Sequence, residues 1–148
     1  MTTKASTGLR NHVLVTGSAR AGLANGFLDI YGGPEPATAD AAIDPATQIL
    51  LVRIYSDGTS TGINLAATAA DGFVEKAAEA WTGTVIESGR ATFFRLVGAA
   101  DTGVLSTTQP RLQGSVARAG GDLNLSDVEL VAGDPQAVNY FTVALPAF

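Results

Sequence analysis

The chain has 148 residues, enough for one domain with a sizeable core. Charged residues make up 16% of it, against a typical share of about 25%, and the formal net charge is −5. Nine scattered basic residues form no stripe for nucleic acid or anionic lipid, and a chain with no cysteine has no disulfide, zinc–thiolate or thiol chemistry.

Residues 1–7 are polar and lead into no apolar segment of the secretory kind, and the longest apolar run, residues 49–52, is far too short to span a membrane. The expectation is a soluble protein made in a cytoplasm. So little charge implies either a surface partly covered by a partner or one rich in Ala, Gly and Thr.

Residues 1–26 read as an N-terminal arm with short helices. Ser6 or Thr7 suits an N-cap, Leu9, Val13 and Thr16 share a helical face, and Gly17 is a natural stop. A second Ala-rich turn, residues 18–25, ends at Gly26. Both pieces are too short to be stable alone and must pack on something.

Residues 27–148 read as a β domain. Leu28 and Ile30 alternate with Asp29 and Tyr31 until Gly32-Gly33-Pro34 ends the run, and residues 35–47 form an ordered surface connection. Residues 48–55 are apolar on both faces, Leu50, Val52 and Ile54 opposing Ile49, Leu51, Arg53 and Tyr55, so this strand is expected to be covered on both sides. After the Asp57-Gly58 turn, Ile63 and Leu65 alternate with Asn64 and Ala66. Asp71-Gly72 suits a tight type I′ hairpin, with Phe73, Val74 and Glu75 starting the return strand.

Residues 81–86 and 91–97 continue the period of two, and Leu112, Gly114 and Val116 then alternate with Arg111, Gln113 and Ser115. Beyond Gly120-Gly121 come Leu123, Leu125, Val128 and Leu130, and a last strand over residues 138–145. About eight or nine short strands between Gly- and Asp-containing turns predict a mainly β, jelly-roll-like antiparallel β-sandwich with a short helical N-terminal segment.

Side chains that carry chemistry are sparse. His12, the one histidine, has Arg10, Asn11 and Val13 beside it, which supply neither a nucleophile nor an orienting acid. Packing or capping is its expected role. Glu75, Glu79 and Glu87 flank the single Trp81 in a manner open to sugar hydrolysis, yet Glu75 and Glu79 sit as solvated charges in an Ala-rich stretch. Asp122, Asn124, Asp127 and Glu129 form the densest set of oxygen ligands, without the spacing of an EF-hand. Turn chemistry is the expectation there, with a structural calcium as the alternative. Neither Gly32-Gly33-Pro34 nor Gly120-Gly121 has the context of a phosphate loop, so no cofactor is expected.

Three stretches resemble a family of small virion proteins encoded in tailed-bacteriophage genomes. They are residues 6–18 (Ser6-Thr7-Gly8-Leu9-Arg10-Asn11-His12-Val13-Leu14, then Thr16-Gly17-Ser18), residues 28–42 (with Ile30-Tyr31-Gly32-Gly33-Pro34 and Pro36-Ala37-Thr38-Ala39-Asp40-Ala41-Ala42), and residues 114–146. The last closes on Tyr140-Phe141-Thr142-Val143-Ala144-Leu145-Pro146, and Trp81-Thr82-Gly83-Thr84 and Ala91-Thr92-Phe93-Phe94-Arg95 fit the same pattern. The resemblance implies a virion component assembled in a bacterial cytoplasm, with no catalytic residue to carry over.

Low charge and missing chemistry suit a capsid decoration, or cement, protein that binds the major capsid protein and copies of itself. In that reading Leu9, Arg10, His12 and Val13 of the arm are the candidate partner contacts. An arm that merely caps its own sandwich is equally open; the second reading of the whole chain is a tail, collar or baseplate subunit, and the third a carbohydrate-binding module stacking sugars on Trp81, Tyr31 or Tyr55.

Overall fold

A computed structural model describes residues 3–144. Its N-terminal arm is built into the body of the protein. Strand β1 (Lys4–Ala5) pairs antiparallel with β8 (Arg111–Ala117), and Ser6 then caps helix α1 (Thr7–Asn11). The Ser6 hydroxyl accepts from Leu9 N (3.1 Å) and Arg111 N (2.9 Å) and donates to the Gln109 carbonyl (2.8 Å). One donor and two acceptor sites are all a hydroxyl has, and all are used. Ser6→Ala should therefore cost about 1–2 kcal/mol, read as a shift of the urea midpoint at unchanged slope.

After Asn11 the helix widens into a π-helical turn (His12–Thr16) that closes through Gly17 N to His12 O at 2.9 Å. This breaks the expected apolar face. Leu9 is buried, whereas Val13 is partly exposed and Thr16 faces solvent, because an i→i+5 turn rotates residues beyond Asn11 away from the row that Leu9 begins. Helix α2 (Ala19–Gly22), capped by Ser18, completes the arm and leads Leu23 into the core.

The fold is mainly β and antiparallel, a sandwich of unequal layers. The larger sheet runs β1-β8-β7-β2-β3, with β2 (Phe27–Gly32), β3 (Ile49–Ile54) and β7 (Phe93–Val97), while β9 (Leu123–Asn124) lies parallel beside β8. Three two-stranded sheets form the other layer: β4 (Phe73–Glu75) with β12 (Thr142–Ala144), β5 (Trp81–Thr84) with β11 (Pro135–Val138), and β6 (Gly89–Arg90) with β10 (Glu129–Leu130).

The described residues thus hold twelve strands where the sequence suggests eight or nine, since several pair over only two or three residues. Two expected strands do not form as continuous units. Ile63 and Leu65 are buried at alternate positions as expected, yet each makes only an isolated bridge, to Gly26 and Lys76. The expected strand over residues 138–145 is interrupted between Val138 and Thr142, and its end at Leu145 lies outside the described residues.

Alternation divides the larger sheet into two faces. Leu28, Ile30, Val52, Ile54, Phe94, Leu96, Leu112 and Val116 join Trp81, Val138 and Phe141 in one hydrophobic core. Phe94 packs edge-on against Phe141 at 5.5 Å between ring centres. Gly114 makes room for this: a Cβ there would stand 2.9 Å from the Phe94 ring and 2.8 Å from Asp122. In β3 the alternation slips, because Ile30 opposes Val52 while Tyr31 opposes Leu50. Leu51 is the extra residue of this bulge, so Leu51 and Val52 are both buried in the core and Leu50 falls on the opposite face from Val52.

Candidate functional site

The second face of the larger sheet is polar and yet buried. Across five strands, directly opposed positions carry Arg53 (β3), Asp29 (β2), Arg95 (β7), Gln113 (β8) and Lys4 (β1). Arg111 stands two positions before Gln113 on the same face. Arg95, Arg111 and Gln113 are each 0% exposed and Asp29 only 2%. What covers them is irregular backbone, residues 34–47 and 98–110, and not another sheet.

That choice of cover explains the polarity. Irregular backbone has no ladder to satisfy its carbonyls, and buried carbonyls need donors. Arg111 Nη1 donates to Ala39 O and Asp40 O at 3.2 Å each, and its Nη2 to Val104 O at 2.6 Å. Arg95 Nη1 donates to Ala41 O (2.9 Å), Gln113 Nε2 to Pro36 O (2.8 Å) and Gln48 Nε2 to Pro34 O (2.8 Å). Long side chains from the sheet thus tie down both loops.

Two ion pairs are set into the layer. Arg53 grips Asp29 through Nε and Nη2 (2.6 and 2.7 Å), and Arg111 grips Asp101 through Nε and Nη2 (2.5 and 2.8 Å). Burial alone would push the Asp101 carboxyl up, but the Arg111 hydrogen bonds and the Gly103 amide outweigh it and hold the group below its ordinary value. For Asp29 burial prevails over the pull of Arg53, and the carboxyl is raised. Arg95 bonds only to neutral groups, and desolvation with the repulsion of Arg111 lowers it to about 10, so it stays charged at neutral pH.

Between this layer and the loops lies a cleft of about 730 Å³. Its polar wall is Asp29, Tyr31, Arg53 and Arg95, and Ile43 and Val104 contribute apolar surface from the loops. Tyr31 stacks on Phe93 with ring centres 4.9 Å apart, which fixes that side of the wall.

The four arm residues expected to meet a partner are separated by the structure. Leu9 is 3% exposed, so it is a core residue of its own chain and not a free contact. Arg10 is exposed and donates to Thr7 Oγ1 at 3.0 Å. The His12 ring packs on Gly22 and Gly17, with Nε2 enclosed and without a hydrogen-bond partner. Val13 is partly exposed, and the most exposed large apolar side chains on this turn are Leu14 (79%) and Val15 (88%), which helical spacing did not single out.

The other candidates are spent on local structure. Trp81 is 1% exposed and donates from Nε1 to Glu79 Oε1 at 3.0 Å. Tyr31 is buried, and Tyr55 lies edge-on to Phe27, so these three aromatics form no common platform. Asp122 accepts from Ser115, Asn124 from Gly121 N and Asp127 from Glu129 N, while Glu129 pairs with Arg90. Among the described residues no three His, Cys, Asp or Glu side chains come together as metal ligands would.

Comparison with known proteins gives no match to a family model, a curated protein or a solved structure.

Proposed function

We propose that this chain is a non-enzymatic structural protein of a tailed-phage particle, most simply a decoration protein that binds the major capsid protein and further copies of itself. The observation that carries this reading is a set of outward-facing apolar side chains on the N-terminal turn and on the loop of residues 98–110. Leu14 and Val15 protrude from the N-terminal turn, and Val104 (60% exposed) and Leu105 (72%) protrude from the loop of residues 98–110. The two segments lie side by side, since Val15, Thr107 and Thr108 line one shallow groove. Exposed clusters of this kind mark protein contacts more often than chance solvent exposure.

The resemblance of residues 6–18 and 28–42 to phage virion proteins supports the same reading, as does the low charge. The buried ionic groups support it differently: Asp29 is committed to Arg53, and Arg111 to Asp101 and the loop carbonyls, as in a scaffold that must stay rigid. In a symmetric shell, many weak apolar contacts add through multivalency.

Cryo-electron microscopy of the parent particle tests this. Density for the chain on the outer shell lattice, with Leu14, Val15 and Leu105 turned to a neighbour, is the expected result. Density confined to the neck or tail would replace the decoration role by that of a tail or collar subunit. A particle lacking the chain would overturn the virion reading.

A further inference from the structure

Charge is divided unevenly along the chain. Residues 1–26 hold Lys4, Arg10 and Arg20 and no acid, whereas residues 27–148 hold six basic and fourteen acidic side chains. Lys4 pairs with Glu35, but Arg10 and Arg20 are exposed, and among the described residues neither forms an ion pair. Arg10 donates to Thr7 Oγ1 and Arg20 Nε to Leu65 O (3.2 Å), both neutral acceptors. The two arginines stand in the chain on either side of the π-helical turn, from which Leu14 and Val15 protrude. The arm thus presents apolar side chains beside uncompensated positive charge, on a protein that is otherwise acidic.

The opposite combination occurs on the ribbon of β4 and β12. Val74 and Val143 oppose each other and pack against the core, so Phe73, Glu75, Thr142 and Ala144 face outward. Phe73 is 51% exposed, and Tyr140, two residues before Thr142, is 88% exposed. Asp71, in the hairpin turn, and Glu75 are exposed and form no ion pair among the described residues. Exposed aromatic rings beside uncompensated carboxylates are the complement of the arm, and one chain carries both halves. We propose that the arm of one copy docks on the β4–β12 ribbon of a second copy. Leu14 and Val15 then meet Phe73 and Tyr140, and Arg10 and Arg20 face Asp71 and Glu75. Opposite charge steers and orients such a contact, while burial of the apolar side chains holds it. The inference rests on the self-association in the reading above and names the surfaces that meet.

Sedimentation equilibrium of the full chain, carried up to about 1 mM at the weak end of specific association, tests the contact. Concentration-dependent association is expected, weakened several-fold between about 0.05 and 0.5 M NaCl as screening shortens the reach of the charges. Arg10→Glu with Arg20→Glu should weaken it at least about tenfold, and so should Asp71→Arg with Glu75→Arg. An equimolar mixture of the two double variants should associate again, because each arm then meets a ribbon of opposite sign on the other variant. Tyr140→Ser keeps every charge and alters only an exposed side chain, so it should also weaken association, and it carries the test if a charge variant does not fold. A chain that stays monomeric throughout, association unmoved by these variants, or a mixture that does not recover overturns the proposal. A monomeric chain found on the shell lattice would overturn this contact alone and leave the virion role standing.

Discussion

Arg111→Met is expected to destabilise the protein by about 3–5 kcal/mol, seen as a lowered urea midpoint at unchanged slope. Methionine roughly fills the space, so the loss is one of pairing. Asp101, 1% exposed at its side chain, would be left as a buried carboxylate, and the carbonyls of Ala39, Asp40 and Val104 would lose their donor. The loops 34–47 and 98–110 should then open first, which limited proteolysis reports as new early cleavage there. Arg111→Lys should recover only part of the loss, because an ammonium cannot span Asp101 and three carbonyls as a planar fork does.

Asp101 has a folded pKa below its unfolded one, so its pairing contributes stability above the ordinary carboxylate range and loses it as pH falls through the folded value. The deficit of Arg111→Met should therefore shrink on acidification, as protonation relieves the stranded Asp101. The double variant with Asp101→Asn should lose less than the two single losses added together. A loss below about 1 kcal/mol in Arg111→Met at neutral pH would show that the loops hold without the pair.

What is encoded locally was legible in the sequence. Ser6 caps its helix, and Asp71 and Gly72 take φ of 53° and 81° between the reciprocally bonded Ala70 and Phe73, as a type I′ hairpin requires. The alternation of β2, β7 and β8 was also legible, since period two needs no knowledge of partners. What depends on register was not. The bulge at Leu51 arises from how β3 meets β2, and Phe73, Val74 and Glu75 take β12, far along the chain, as their strand partner, while residues 62–68 meet the return segment through the Leu65–Lys76 bridge and the bond from Ala66 N to Glu75 O.

The polar layer was hidden for the same reason. Asp29 and Gln113 read singly as polar positions of alternating strands, and Arg53 and Arg95 as lone charges on otherwise apolar faces. Only strand order brings them into one row, and only the two loops bury it. The sequence does hold one hint: Arg or Asp stands between large apolar residues in three of the strands that carry this sheet, at Asp29, Arg53 and Arg95. Helical spacing misled at the arm because a π-helical turn after Asn11 carries the apolar row away from Leu9.

Trp81→Ala should cost about 3–5 kcal/mol, close to the loss at Arg111 though by a different mechanism. The ring sits inside the second layer, 5.6 Å from Phe141 between ring centres, on a strand paired with Val138. Lys76 lies over its face at 5.6 Å, and Glu79 Oε1 accepts from both its Nε1 (3.0 Å) and Asn64 N (2.7 Å). Alanine would leave a cavity among Phe141, Phe94 and Val138, and Glu79 would lose one of its two donors. Trp81→Phe should fall between, since it keeps most of the apolar volume and loses the N–H. Far-UV circular dichroism must follow the unfolding, because this is the only tryptophan of the chain. A sugar platform predicts the opposite pattern, with stability kept and glycan binding lost. A fall in stability of the expected size, with Trp81 fluorescence of the parent protein unmoved by glycans, would assign the side chain to the core that fixes the second layer against the sheet.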